Sequence, residues 1–180
     1  MSSDSVQKNG VTFECIQGDI TDQHDLDVIV NAANAELMPG GGVAGAIHKA
    51  AGPELARTCE SMAPISPGKA VITRGFELPN GHVIHCLGPV YGRDEPSDEL
   101  LADCYRNAVQ LAEKEGLESI GFPALSTGAF GYPMEPAAEV AFETLLALSS
   151  ELKKVRLIRF VLFKDADREL HQRVLTRLAG

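Results

Sequence analysis

The spacing of apolar and polar positions changes several times along the chain, and each change marks an element. From Val11 to Gln17 the two alternate, predicting a strand with one wetter face. Gly18-Asp19-Ile20-Thr21 breaks it. Leu26–Val30 is a short β-branched run, the composition of a strand buried on both faces and ending at Asn31. Residues 43–61 read as two helices interrupted at Gly52-Pro53, with Pro53 in a first turn. Strands over 70–73 and 82–87 flank the polar turn Leu78-Pro79-Asn80-Gly81, predicting a hairpin or meander. Residues 99–115 have helical spacing, with Leu100, Leu101, Cys104, Ala108, Leu111 and Ala112 on one side and Gly116 as the stop. A short strand, 119–122, runs into Pro123. A helix follows over 135–149, then a strand over 155–163 and a last helix capped by Asp165 and reaching Leu178. Strands alternating with helices predict an α/β chain: a three-layer α/β/α sandwich around a mixed, mostly parallel central sheet. Residues 1–10 are polar and expected to be flexible. Residues 11–180 are expected to form a single domain, with no internal repeat and no low-complexity linker.

Composition narrows the function classes. The 180 residues carry 16 Lys and Arg against 25 Asp and Glu, a formal net charge of −9. General nucleic-acid binding needs a basic surface and is not expected. No secretory signal or transmembrane run is visible, so membrane association is not expected and a cytoplasmic location is. Cys15, Cys59, Cys86 and Cys104 are widely spaced and form no CxxC, which reads as buried reduced thiols; no metal site is expected.

Two glycine-rich loops carry the candidate chemistry. The first, Pro39 to Ile47, lies between a strand and a helix and contains Gly40, Gly41, Gly42, Val43, Ala44 and Gly45. Glycines let backbone approach a ligand closely, and successive N–H groups at a helix N-terminus make a phosphate cradle. The same residues satisfy G-x-G-x-x-G. A dinucleotide site, however, needs the motif directly after its strand and an acid at the end of the next strand. Here residues 31–39 intervene and the residue at the expected distance is Glu60 in a helix or loop, which demotes a dinucleotide oxidoreductase. The second loop is Ser126-Thr127-Gly128-Ala129-Phe130-Gly131-Tyr132, again between a strand and a helix. Two such loops could clamp one diphosphate from both sides, with Phe130 as a wall for a sugar or base. Neither holds Lys or Arg, and the Gly-Lys-Ser/Thr of a phosphoryl-transfer loop is absent.

Polar residues stand at the loop mouths. Asp19 could accept a hydrogen bond from an exocyclic amine such as that of adenine, or serve as a turn residue. Asn31 and Asn34 suit sugar hydroxyls, or cap backbone within the loop. Phe163 could stack on a base, or lie in the core.

Gly18-Asp-Ile-Thr21, Val30-Asn-Ala-Ala-Asn34, Gly40 to His48 and Pro123 to Pro133, in that order, resemble the macrodomains, over about residues 11–178. The likeness extends to MacroD-like O-acetyl-ADP-ribose deacetylases and protein-ADP-ribose hydrolases. It implies that Asp19 receives the adenine amine, with Ile20 beside the base and Phe163 stacking near it. Residues of both loops would hold the diphosphate through N–H groups, Asn34 would contact the terminal ribose, and Phe130 would wall it. Ligand-binding residues are then Asp19, Ile20, Asn31, Asn34, Gly40, Gly41, Gly42, Val43, Ala44, Gly45, Ser126, Thr127, Gly128, Ala129, Phe130, Gly131 and Phe163. Asn34, Gly41 and Phe130 are the catalytic candidates.

One position departs from the pattern. Hydrolytic MacroD-like relatives carry Asp where this chain has Ala44, and a methyl group cannot move a proton. The expectation is a slow hydrolase of ester-linked ADP-ribose, acting on O-acetyl-ADP-ribose or on mono-ADP-ribosylated acidic side chains, as a monomer without cofactor. The alternative is a non-catalytic reader of ADP-ribose.

Overall fold

In the computed structural model, which describes residues 4–180, each buried apolar run has become an inner strand of one sheet. The strands are β1 (Val6–Lys8), β2 (Val11–Gln17), β3 (Val28–Ala32), β4 (Ala70–Arg74), β5 (His82–Cys86), β6 (Ser119–Phe122) and β7 (Leu157–Leu162). Their spatial order is β1-β2-β7-β6-β3-β5-β4. The five inner strands run parallel, while β1 and β4 pair antiparallel at the two edges. β6 is buried throughout and β3 nearly so, as strands covered on both faces require.

The helices are α1 (Gly42–Ala51), α2 (Pro53–Glu60), α3 (Ser97–Lys114), α4 (Met134–Leu148) and α5 (Asp165–Ala179). Alternate strand residues serve opposite faces. Val28, Val30, Ile120 and Phe122 join Tyr105 of α3, Phe142 of α4 and Val174 of α5; Ile29, Val83 and Val161 join Ile47 of α1 and Leu55 of α2. The result is the expected α/β/α sandwich around a mixed, mostly parallel sheet. On the first face Tyr105, Phe122, Phe142 and Phe160 form an aromatic cluster with ring centroids 4.7–5.8 Å apart.

The predicted break between α1 and α2 falls at Gly52, whose φ of 90° ends one helix while Pro53 opens the next. Gly116, with φ 73°, stops the turn after α3. The turn over 78–81 makes β4 and β5 a hairpin. Among the described residues no helix is long and apolar enough to cross a membrane. All four cysteines are buried and free.

Three readings of local structure change. Val6–Lys8, expected to be flexible, pairs with Val11–Phe13 around a turn at Asn9-Gly10, where both residues have positive φ; Met1–Ser3 lie outside the described residues. The strand expected over 155–163 spans only Leu157–Leu162, so Phe163 falls beyond it. Asp165 does not cap α5. Lys164 occupies the cap position, and Asp165 instead accepts a hydrogen bond from Arg168 Nε at 2.7 Å within the first turn.

Candidate functional site

Parallel strands bring their C-terminal ends to one edge of the sheet, where α/β folds place ligands. Here that edge carries every loop the sequence singles out. In spatial order it runs from Gly18–Thr21 after β2, through Phe163 after β7 and Ser126–Tyr132 after β6, to Asn34–Gly42 after β3. β6 and β3 are adjacent and parallel, so the two glycine loops stand side by side. From β2 to β3 is three strand spacings, about 14 Å.

The glycines of the two loops serve different ends. A Cβ at Gly41, Gly42, Gly128 or Gly131 would meet nothing within 4 Å, so these positions face open space. Gly42 (φ 56°) and Gly131 (φ 76°) also need left-handed backbone. Gly45 is a packing glycine, because a Cβ there would overlap the Gly40 carbonyl oxygen where the loop folds onto the first turn of α1. Gly41 precedes α1 in extended conformation, and no side chain caps the helix. The first N–H groups of α1 are therefore available to an anion, with the helix dipole behind them. Val43 is half-buried and Ala44 buried.

In the second loop Tyr105, at the base, accepts the Leu125 N–H on its hydroxyl at 3.2 Å. Thr127 turns back to Ala124 O through both its N–H and its hydroxyl, and Gly131 N–H donates to Gly128 O at 3.0 Å. Thr127 and Phe130 are half-buried, and Gly128, Ala129 and Gly131 are exposed. The Ser126 side chain is buried, so only its backbone is placed to meet a ligand.

Asn34 grips its own loop. Its Nδ2 donates to Met38 O at 2.8 Å, and its Oδ1 accepts the Met38 N–H at 2.9 Å. The second N–H and the second lone pair of that amide remain for a sugar hydroxyl. Nδ2 lies 3.4 Å from the point a Gly40 Cβ would occupy, which ties the asparagine to the glycine loop.

At the other end, Asp19 is exposed. Its Oδ1 accepts from Thr21 N–H at 2.8 Å and Thr21 Oγ1 at 2.7 Å, leaving Oδ2 without a partner among the described residues. Gln23 holds the Asp19 carbonyl and is itself held by Arg159, which also pairs with Glu14 and Asp25. Gly18 N–H donates to Leu162 O at 2.9 Å, setting Asp19 next to Phe163. Phe163 is 83% exposed, which rules out the core role weighed for it.

Besides Ala44 and Ser126, two further expected ligand residues are buried. Ile20 is buried in the core beneath its loop. Asn31 is also buried, because strand alternation points it under α1; its Nδ2 donates to His85 Nδ1 at 3.0 Å. His85 Nε2 then faces Thr73 Oγ1 at 3.0 Å, and the Thr73 hydroxyl donates a hydrogen bond to Arg74 O at 3.1 Å. Burial, with His48 beside it, pushes the His85 pKa down to about 3. Burial lowers that of His48 too, and neither His48 ring nitrogen is hydrogen-bonded among the described residues.

The Leu87–Asp94 segment after β5 was missed. Tyr91 N–H donates to Phe130 O at 2.9 Å, and its ring lies 4.7 Å from that of Tyr132. The available signal was Gly88-Pro89 directly after a strand, the placement that marked the other loops.

Comparison with known proteins agrees with this geometry. Residues 30–141 match the macro domain family. An O-acetyl-ADP-ribose deacetylase of Klebsiella pneumoniae is 46% identical over 167 residues, 90% of this chain and 95% of its own. A solved macrodomain of Oceanobacillus iheyensis with ADP superposes with a TM-score of 0.92 at 42% identity, covering 97% of this chain and 95% of its own. A Trypanosoma brucei macrodomain in complex with ADP-ribose gives a TM-score of 0.84 at 38% identity, covering 89% and 68%. With a sheet edge carrying two adjacent glycine loops and close relatives along nearly its full length, the chain belongs to the macrodomain family.

Proposed function

We propose that this chain binds ADP-ribose along the C-terminal edge of the sheet and hydrolyses an ester on its terminal ribose. The observation that carries the reading is the pair of glycine loops after the adjacent parallel strands β6 and β3, with Gly41, Gly42 and Gly128 facing open space. Backbone N–H groups there supply the anion site without a basic side chain in either loop. Asp19 Oδ2 receives the adenine amine, and Phe163 lies against the base. The diphosphate lies between Gly40–Ala44 and Thr127–Gly131, and the terminal ribose meets Asn34 and Phe130. Ile20 supports the base from below, and Asn31 supports the strand end; neither touches ligand.

The chemistry is ester hydrolysis. Water adds to the carbonyl carbon, the bond to the ribose oxygen breaks, and a ribose hydroxyl and a carboxylic acid leave. No carboxylate stands at position 44 to take the proton, so a ligand phosphate oxygen orients the water while Asn34, Gly41 and Phe130 fix the ribose. O-acetyl-ADP-ribose is the first substrate to test, being the one in the name of the Klebsiella relative. Mono-ADP-ribosylated aspartate or glutamate side chains carry the same ester. Acetate release from O-acetyl-ADP-ribose should exceed that given by Asn34→Ala; equal rates would overturn the catalytic reading. Ala44 favours one second reading, a binder without turnover, which would show ADP-ribose binding but no release at stoichiometric enzyme.

A further inference from the structure

The Leu87–Asp94 segment has no part in the roles above, yet it touches the second glycine loop at both ends. Ser126 takes φ 67°, a left-handed value that a residue with a Cβ adopts only at some cost. Its side chain is 7% exposed, and Oγ has no partner among the described residues. Gly88 lies opposite: a Cβ there would overlap Ser126 Oγ and stand 3.3 Å from Ser126 Cβ. Gly88 is not itself in the left-handed region, so its backbone would accept alanine. What glycine supplies at 88 is room. Three residues on, Tyr91 N–H holds Phe130 O at 2.9 Å, and Tyr132, whose ring packs at a 50° tilt against that of Tyr91, donates its N–H to Ser126 O at 2.9 Å. Asp94 steadies the segment by accepting the Val90 N–H at 2.8 Å.

We propose that Gly88 is a positioning residue for the second glycine loop. The missing side chain at 88 lets Ser126 keep the left-handed conformation that begins the loop, and Tyr91 pins the far side at Phe130. The Gly128–Phe130 N–H groups, bracketed by the Thr127 and Gly131 N–H groups that bond within the loop, are thereby pre-set before ligand arrives, which lessens the ordering that binding requires. This rests on the reading that the loop binds the diphosphate of ADP-ribose.

The test is a two-residue cycle read by ADP-ribose calorimetry and backbone amide NMR on the whole chain. Gly88→Ala should weaken binding by roughly tenfold, within the range that overpacking of a close contact costs. Ser126→Gly removes the obstructing side chain and tolerates the positive φ. Gly88→Ala/Ser126→Gly should therefore return to within about threefold of Ser126→Gly alone. Amide shifts of Thr127–Gly131 should move in Gly88→Ala and return in the double variant, while those of Asp19–Thr21 stay. Should Gly88→Ala fail to fold, the pairing still predicts a folded, binding double variant. Undiminished affinity in Gly88→Ala, or a double variant as weak as Gly88→Ala or unfolded, overturns the inference. No binding by the unmodified protein would instead overturn the ADP-ribose reading.

Discussion

Ala44 stands one turn before His48 on the buried face of α1, and the His48 imidazole has no hydrogen bond on either ring nitrogen among the described residues. Residues four apart on a helix meet. A carboxylate at 44 would give that imidazole a partner and give the site the base it lacks. Ala44→Asp should raise turnover of O-acetyl-ADP-ribose by about 10²–10⁴ fold, the scale of a general-base contribution. ADP-ribose affinity should change by less than about threefold, since a base acts on the transition state rather than on ground-state binding. Steady-state kinetics beside calorimetry checks both; a folded variant with no gain in rate contradicts the idea that the site lacks only a base.

Gly128 offers a direct test of the cradle. It needs no left-handed backbone, and a Cβ would meet nothing within 4 Å, so Gly128→Glu should leave the melting temperature nearly unchanged. Its carboxylate would enter the space assigned to the diphosphate. Like charges 4 Å apart repel by about 4 kcal/mol at an effective dielectric of 20. ADP-ribose affinity should therefore fall by roughly two to three orders of magnitude.

Phe163, 83% exposed, contributes little to the core. Phe163→Ala should shift stability by less than about 0.5 kcal/mol. Loss of base stacking, worth about 1–3 kcal/mol per base, should weaken ADP-ribose binding measurably. Ribose 5-phosphate, which has no base, should bind both proteins equally.

Acid should loosen the layer under α1 first. The folded-state pKa of His85 is depressed to about 3, and that of His48, on α1, is also lowered by burial. An unfolded histidine titrates near 6.5. Between the two values the unfolded chain binds more protons. The stabilisation is thus complete above pH ~6.5 and is lost as pH falls from there toward the folded value. Asp25, held low by its hydrogen bond from Arg159, and Asp94, by that from Val90 N–H, lose their contribution only below about pH 5. The unfolding free energy from urea titrations should already decline between pH ~6.5 and ~5, by up to about 1.4 kcal/mol per pH unit from His85. His85→Gln should be less stable at neutral pH and show a shallower decline; an unchanged slope would contradict the assignment.

Much of this was legible in the sequence because backbone requirements leave clear marks. The β-branched runs of β3 and β7 gave buried parallel strands, and Gly52-Pro53 gave the break between α1 and α2. The two glycine loops could be found, but not their adjacency, which depends on β6 inserting between β7 and β3 from far along the chain. Side-chain direction was harder. Asn31 and Asn34 both suit a sugar, yet the pleat sends Asn31 inward to His85, while Asn34 lies past the strand end. Phe163, placed at the close of the last strand, read more readily as core than as stacking surface, but β7 ends one residue earlier. Gly88 was overlooked because its purpose is room for Ser126, a contact across 38 residues of sequence that no local pattern encodes.

Calorimetric titration of ADP-ribose into the unmodified protein and into Gly128→Glu tests the account most directly. The account predicts one site per chain in the unmodified protein and none detectable in the folded variant. Absence of binding by the unmodified protein, or equal affinity in the two, would contradict it.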